Sequence, residues 1–192
     1  FRCDRSRNYI AYNYAWNILV SADPNAVLFT GGDNDTFPLW CLQDVYKVRT
    51  DVAMVCLPLS NTDWYIKQLK NDKGLKLGWT DEQIERLVPY RTPDGTTYRL
   101  QDQVVNALMT HERDKRPLNF SVTVSPGSRQ YEGQSIDSLM EQRGMVFHVK
   151  DHGISMSVDI DRSLELYEGP EGFRYGGFAD TTIYKDEAND RS

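Results

Sequence analysis

The chain lacks most of the features that announce a chemistry. Its 192 residues include three cysteines, Cys3, Cys41 and Cys56. An odd count without a C-x-x-C pair builds neither a disulfide framework nor a zinc site. Cys41 falls in an apolar helical pattern and Cys56 in an apolar strand, so both read as small core residues. No apolar run approaches the roughly 20 residues of a membrane-spanning helix. The longest, Val52 to Leu59, contains Pro58 and reads as a buried strand. A basic excess is missing too: 22 Lys and Arg stand against 28 Asp and Glu, a net charge of −6. That balance argues against a nucleic-acid or anionic-membrane partner. The densest basic cluster, His111 to Arg116, has acids interleaved and reads as a solvated helix end. There is no G-x-G-x-x-G, no Walker A loop and no G-x-S-x-G elbow. No signal peptide, internal repeat or low-complexity stretch is present. The chain opens at Phe1 with helical pattern close behind, as expected of a segment of a longer polypeptide.

What remains is an ordinary globular composition, 40% hydrophobic and 26% charged, in a chain long enough to bury a real core. Apolar residues at Ile10, Tyr14 and Ile18, with Ala11, Ala15 and Leu19, predict a helix over Tyr9–Val20, capped by Asp4 or Ser6. Asp23-Pro24-Asn25 ends it in a turn. Ala26–Thr30 and Asp51–Leu59 are continuous apolar runs, the pattern of strands buried on both faces. Helices are expected over Phe37–Tyr46, with Pro38 in its first turn, and over Thr62–Lys70, capped by Asn61 or Thr62. This α-β-α-β-α alternation predicts a doubly wound parallel sheet with the Ala26–Thr30 strand in its interior.

Further on, Thr80 and Gln83 form a capping box. Pro93-Asp94-Gly95 marks a hairpin between Val88–Arg91 and Thr96–Leu100. A helix is expected over Gln101–Glu112, a strand over Leu118–Val124, a helix over Ile136–Gln142 and a strand over Met145–Val149. Beyond Lys150, Ile154, Met156, Val158 and Ile160 alternate, which allows a hairpin through Asp151-His152-Gly153; Asp161 could instead cap a helix through Tyr167. The fold expected is thus α/β: a Rossmann-like, parallel-sheet, three-layer domain over 1–150. Its strands lie near 26–31, 52–58, 118–124 and 145–149, and 151–192 form an irregular C-terminal extension.

The most informative stretch is Val27–Trp40. An apolar strand ends in Gly31-Gly32, two carboxylates flank an amide in Asp33-Asn34-Asp35, and Thr36 leads into a helix. In open α/β sheets ligands bind where strands end and helices begin. Three readings of the carboxylates stay open. Asp33 and Asp35 could hold Mg²⁺ or Mn²⁺ beside a diphosphate, the oxygen chemistry such cations prefer. They could cap the helix and lock the turn. Or they could hydrogen-bond a polar ligand directly. Gly31-Gly32 serves either a turn or a close backbone approach.

Asn61, Asp63 and Trp64 follow the second strand as Asp33–Trp40 follow the first, so both loops belong at one sheet edge. Carboxylates beside Trp64 and Trp40 make a carbohydrate-compatible surface. The candidate ligand-binding set is Gly31, Gly32, Asp33, Asn34, Asp35, Thr36, Asn61, Asp63 and Trp64. No nucleophile stands in a recognisable catalytic context, and no cofactor is expected. His148, Asp151 and His152 form a weak metal-binding pattern.

The blocks Asn8–Leu19, Pro24–Trp40, Val48–Val52 and Asn61–Leu69 resemble one bacterial family of polytopic membrane proteins, widespread in Bacteroidota. It is grouped with GT-C-type glycosyltransferases and related to protein O-mannosyltransferases. Arg116–Val124 and Gly144–Val149 resemble its later blocks; Gly31 and Cys41 depart from its usual residues. The resemblance implies an extracytoplasmic domain that follows the membrane helices of a larger protein. Its partners would be its own N-terminal transmembrane region and a glycan or polypeptide acceptor. Transfer chemistry in such enzymes uses an acidic residue of an early loop, so Asp33 and Asp35 inherit no catalytic role. A self-contained metal-dependent nucleotide-sugar enzyme and a purely structural domain are the two competing readings.

Overall fold

The computed structural model describes residues 8–92 and 95–175. The expected caps Asp4 and Ser6, the turn residues Pro93 and Asp94, and the end of the C-terminal extension lie outside the described residues. Helix α1 (Ile10–Ser21) leads through the Asp23–Asn25 turn, where Asn25 takes a left-handed φ of 57°, into strand β1 (Val27–Thr30). Helix α2 (Asp33–Asp44) follows at once, then strand β2 (Ala53–Cys56). A 3₁₀ turn at Leu59–Asn61 precedes α3 (Asp63–Asn71). Helix α4 (Asp81–Glu85) carries the expected Thr80–Gln83 capping box. The hairpin β3 (Tyr90–Arg91) and β4 (Thr97–Tyr98) leads to α5 (Leu100–His111) and β5 (Leu118–Ser121). A small hairpin, β6 (Gln130–Tyr131) and β7 (Gln134–Ser135), precedes β8 (Met140–Arg143) and β9 (Val146–Val149). Strand β10 (Ser157–Val158) and helix α6 (Ile160–Glu168) close the described chain.

Six strands form the main sheet in the order β10-β8-β9-β5-β1-β2. The β5-β1-β2 half is parallel, and β9 runs antiparallel to both β5 and β8. The strand period of two sorts the core. Val27, Phe29, Val55 and Phe120 face Tyr65, Ile66 and Leu69 of α3 and Val104 and Leu108 of α5. Phe29 and Phe120 stack with centroids 4.3 Å apart. Leu28, Met54 and Val146 face Ile18 and Leu19 of α1 and Leu39 and Leu42 of α2. Every residue of β1 and β2 is buried, which is why both read as unbroken apolar runs. Helices on both faces of a mostly parallel sheet give the α/β, Rossmann-like, three-layer architecture.

Some elements differ from expectation. Helix α2 begins at Asp33, four residues early, so Asp33 and Asp35 occupy its first turn and Pro38 sits inside the helix. Cys41 is exposed, because α2 turns Leu39, Leu42 and Gln43 inward instead; Cys56 is buried. Ile136–Gln142 is not a helix. After a 3₁₀ turn at Asp137–Leu139 it becomes strand β8. Gly144, at φ 57°, turns the chain so that Arg143 pairs with Val146 and β8 zips onto β9. Cross-strand pairing overrides local helix propensity there. Helix α6 is capped by Asp159, whose Oδ1 accepts from the Arg162 amide, and not by Asp161.

Strand β2 is the outer strand of the parallel half, and its free edge is covered from within. The Tyr65 hydroxyl accepts from the Cys56 amide at 2.9 Å and faces the Met54 carbonyl at 3.5 Å. Gln43 Nε2 donates to the Val52 carbonyl at 2.9 Å just before the strand. Side chains thus occupy backbone groups that would otherwise invite another strand.

Candidate functional site

Strand β1 leads to β2 through α2 on one face of the sheet. Strand β2 leads back across β1 to β5 through α3 and α5 on the other face. The chain therefore leaves the carboxyl ends of β1 and β5 toward opposite faces, which opens a crevice there. Gly31–Thr36 and Ser121–Thr123 meet at this point.

Asp35 is at its centre and is 3% exposed. The Tyr14 hydroxyl donates to Oδ1 at 2.6 Å. The Gly31 amide donates to Oδ2 at 3.3 Å, and Ser121 Oγ donates to the same oxygen at 3.5 Å. Thr123 Oγ1 also donates to Oδ2. One carboxylate thereby ties α1, the β1 loop and the β5 loop to α2. Burial raises the Tyr14 hydroxyl well above its ordinary pKa, and its bond to Asp35 and that carboxylate's charge raise it further. Tyr14 therefore stays protonated as a donor. Thr36 is buried beside Asp35, donating to the Gly32 carbonyl at 2.7 Å and lying 2.7 Å from Thr30 Oγ1.

The two glycines have different tasks. A Cβ at Gly31 would come within 2.9 Å of the Thr123 carbonyl oxygen, so this residue permits the close approach of the two loops. A Cβ at Gly32 would meet nothing within 4 Å. Asp33 and Asn34 are exposed at the N-terminus of α2, pointing away from the internal bonds that Asp35 makes.

Asn61 is bound internally as well. Its Nδ2 donates to Gln101 Oε1 at 2.8 Å, and its Oδ1 accepts from the Gln101 amide at 3.2 Å, which fixes the start of α5. Asp63 and Trp64 are exposed in the first turn of α3. Of the nine candidates, Asp35, Thr36 and Asn61 hold the fold together at this edge. Gly31, Gly32, Asp33, Asn34, Asp63 and Trp64 present themselves outward.

The structure also brings Trp40 and Trp64 together. They line a groove of about 310 Å³ at the β2 edge, between α2 and α3, over Met54, Tyr65 and Leu69. Asp44, Gln68 and Lys73 complete its lining. Among the described residues, none of these three polar side chains has a hydrogen bond or ion pair to another. The groove thus combines aromatic faces with an unengaged carboxylate, amide and ammonium. Sequence reasoning missed these three, although Asp44 and Gln68 stand one helical turn after Trp40 and Trp64, on the same helix faces. It also missed Tyr14, Ser121 and Thr123, whose partnership with Asp35 spans 86 and 88 residues for the last two.

His148 does not join His152. Its Nδ1 lies 2.6 Å from Asp23 Oδ2, and Asn119 and Arg143 bind the same carboxylate at 2.8 and 2.9 Å. Burial pushes the Asp23 pKa up, but these bonds and the charges of His148 and Arg143 outweigh it and hold the carboxyl at about 2. Among the described residues, no three His, Cys, Asp or Glu side chains gather as a metal-holding group. No helix among them is long and apolar enough to cross a membrane.

No curated protein and no solved structure matches the chain. A family model described as TMEM260-associated domain 2 matches residues 11–86, from α1 through α4. That segment is similar to a domain named for its association with a membrane protein, and it contains all nine candidate residues and the whole Trp40–Trp64 groove.

Proposed function

We propose that the chain is an extracytoplasmic domain of a membrane glycosyltransferase-like protein, and that it positions a glycan-bearing acceptor without catalysing transfer itself. The observation that carries the proposal is the pairing of Trp40 and Trp64 across a groove rimmed by Asp44, Gln68 and Lys73. Sugar rings offer apolar C–H faces to aromatic rings and hydroxyls to carboxylates, amides and ammonium groups. A few convergent polar groups on an aromatic floor are the usual lining of a small-ligand site. The family match supports a link to a membrane protein. The resemblance of the sequence to GT-C-type proteins supports the glycosyltransferase context.

A metal-dependent nucleotide-sugar reading requires Asp33 and Asp35 to converge on one cation. Both Asp35 oxygens face internal donors instead, so that reading finds no support in this geometry. The same bonds favour a structural role for Asp35, which is compatible with a binding groove elsewhere.

The test is calorimetric titration of the chain with soluble neutral oligosaccharides. Trp64→Ala and Trp40→Ala are each expected to cost about 1–2 kcal/mol, roughly tenfold in affinity. Asp33→Asn should leave binding unchanged. Absence of binding to any oligosaccharide, or binding indifferent to both tryptophans, would refute the proposal and leave the structural reading.

A further inference from the structure

Six large apolar side chains stand exposed within the short stretch Ile154–Tyr167: Ile154, Met156, Val158, Ile160, Leu164 and Tyr167. Ile160, Leu164 and Tyr167 are 66%, 50% and 51% exposed and fall at i, i+4 and i+7, so they form one stripe along α6. The opposite side of α6 already buries Leu166 against the domain. This helix is therefore apolar on a second face, which the described chain meets at its C-terminal end, where the Phe173 ring lies edge-on to Tyr167 at 4.8 Å. Strand β10, just before it, is the outermost strand of the main sheet. Exposed apolar surface of this concentration marks interaction sites in soluble folds.

The charges around the stripe point to its occupant. Asp151, Asp161, Glu165, Glu168 and Glu171 are all exposed along the same segment. Arg162 is engaged by Glu165 at 2.6 Å and by the Val20 carbonyl at 3.3 Å. A second copy of the chain would bring the same acids face to face, and an anionic lipid surface would repel them. We propose that this face docks a basic polypeptide segment carrying apolar side chains along one side. Leucine-like residues of the partner would cover Ile160, Leu164 and Tyr167, while its lysines or arginines would meet the acidic rim. The surface is independent of the Trp40–Trp64 groove and lies outside the family-matched residues.

The test uses the full chain and a labelled synthetic helix of lysines and leucines at helical spacing. A glutamate–leucine helix and a lysine–serine helix serve as controls. Fluorescence anisotropy is expected to show saturable one-to-one binding of the lysine–leucine helix, at least about tenfold tighter than either control. Ile160→Ser/Leu164→Ser/Tyr167→Ser changes positions that are at least half exposed, and with its thermal midpoint checked against wild type it should weaken binding at least about tenfold. Glu168→Lys/Glu171→Lys should weaken it and flatten its salt dependence. Trp40→Ala/Trp64→Ala should leave it unchanged. Equal binding by the triple-serine variant or by the glutamate–leucine helix would overturn the proposal. So would failure of the wild-type chain to bind. Self-association lost in the triple-serine variant would assign the face to a second copy, and binding to phosphatidylcholine vesicles would assign it to lipid; either overturns the proposal.

Discussion

Replacing Asp35 is the most direct way to separate a fold-holding carboxylate from a ligand-binding one. The side chain accepts from Tyr14, Gly31, Ser121 and Thr123 and is almost fully buried. Asp35→Ala strands the Tyr14 hydroxyl and the Gly31 amide, while Ser121 and Thr123 keep only their 2.9 Å bond to each other. Hydrogen bonds to a charged group contribute about 1.5–3 kcal/mol each, and part of the loss is recovered where hydroxyls rotate or water enters. Removing one partner from a buried charged network costs about 3–5 kcal/mol, and the same range is expected here. For a chain of this size that corresponds to a fall in Tm of about 6–20 °C. Asp35→Asn should cost less, about 1–2 kcal/mol. Its carbonyl oxygen can keep the Gly31 amide, which cannot turn away, while its amide group faces Tyr14, whose hydroxyl can rotate to accept. Asp33→Asn, exposed in the same helical turn, should cost under about 1 kcal/mol, the worth of a carboxylate at a helix N-terminus. Urea unfolding of the three variants gives the order Asp35→Ala, Asp35→Asn, Asp33→Asn from most to least destabilised. Two carboxylates poised for a shared cation would instead repel each other in metal-free buffer, and neutralising either would stabilise the chain. A Tm for Asp35→Ala within about 2 °C of wild type would refute the structural assignment.

Gly31→Ala should destabilise by about 1–3 kcal/mol, because its methyl meets the Thr123 carbonyl at 2.9 Å. Gly32→Ala has open space and should be neutral or stabilising, and thermal melts of the two variants check the contrast. The Asp23 carboxyl has its folded pKa lowered to about 2, so its contribution is present above its ordinary value of 3.8 and is lost as pH falls through about 2. The stability gap between wild type and Asp23→Asn should therefore be widest near neutral pH and close on acidification, read by urea midpoints across that range. Tyr65→Phe removes the hydroxyl bound to Cys56 N and should cost about 1–2 kcal/mol. It should also raise concentration-dependent aggregation, measured by light scattering, because the Cys56 amide on the β2 edge then lacks its partner.

The legible part of the fold is the part whose signals are local. The unbroken apolar runs of β1 and β2, the Thr80–Gln83 box and the α1 and α5 stripes each carry their structure in a few adjacent residues. Strand β8 was illegible because Ile136–Gln142 has helical composition, and only its pairing with β9 across Gly144 makes it extended. The crevice was legible from Val27–Thr36, since a strand, two glycines and a polar turn place it at a sheet edge. The fate of each side chain there was not. Asp33 and Asp35 are two residues apart and chemically identical, yet one faces solvent and the other faces a tyrosine on α1 and two hydroxyls at the end of β5. Trp40 and Trp64 were recognisable as neighbours through the repeat of strand, loop and helix. The polar rim follows each tryptophan by one helical turn, but only the placement of α2 and α3 on either side of the β2 edge makes the two turns one rim.

The hydroxyl of Tyr65 seals the outer strand while its ring forms part of the groove floor beside Trp64. One side chain thus serves two selections at once. A substitution that reshaped the floor would also unmask a strand edge. Change in the groove is therefore least costly at its rim, at Asp44, Gln68 and Lys73, whose side chains bond no described neighbour. Variation confined to those three positions over an unchanging Tyr65 would be the evolutionary imprint of a surface whose specificity is rewritten without reopening the sheet.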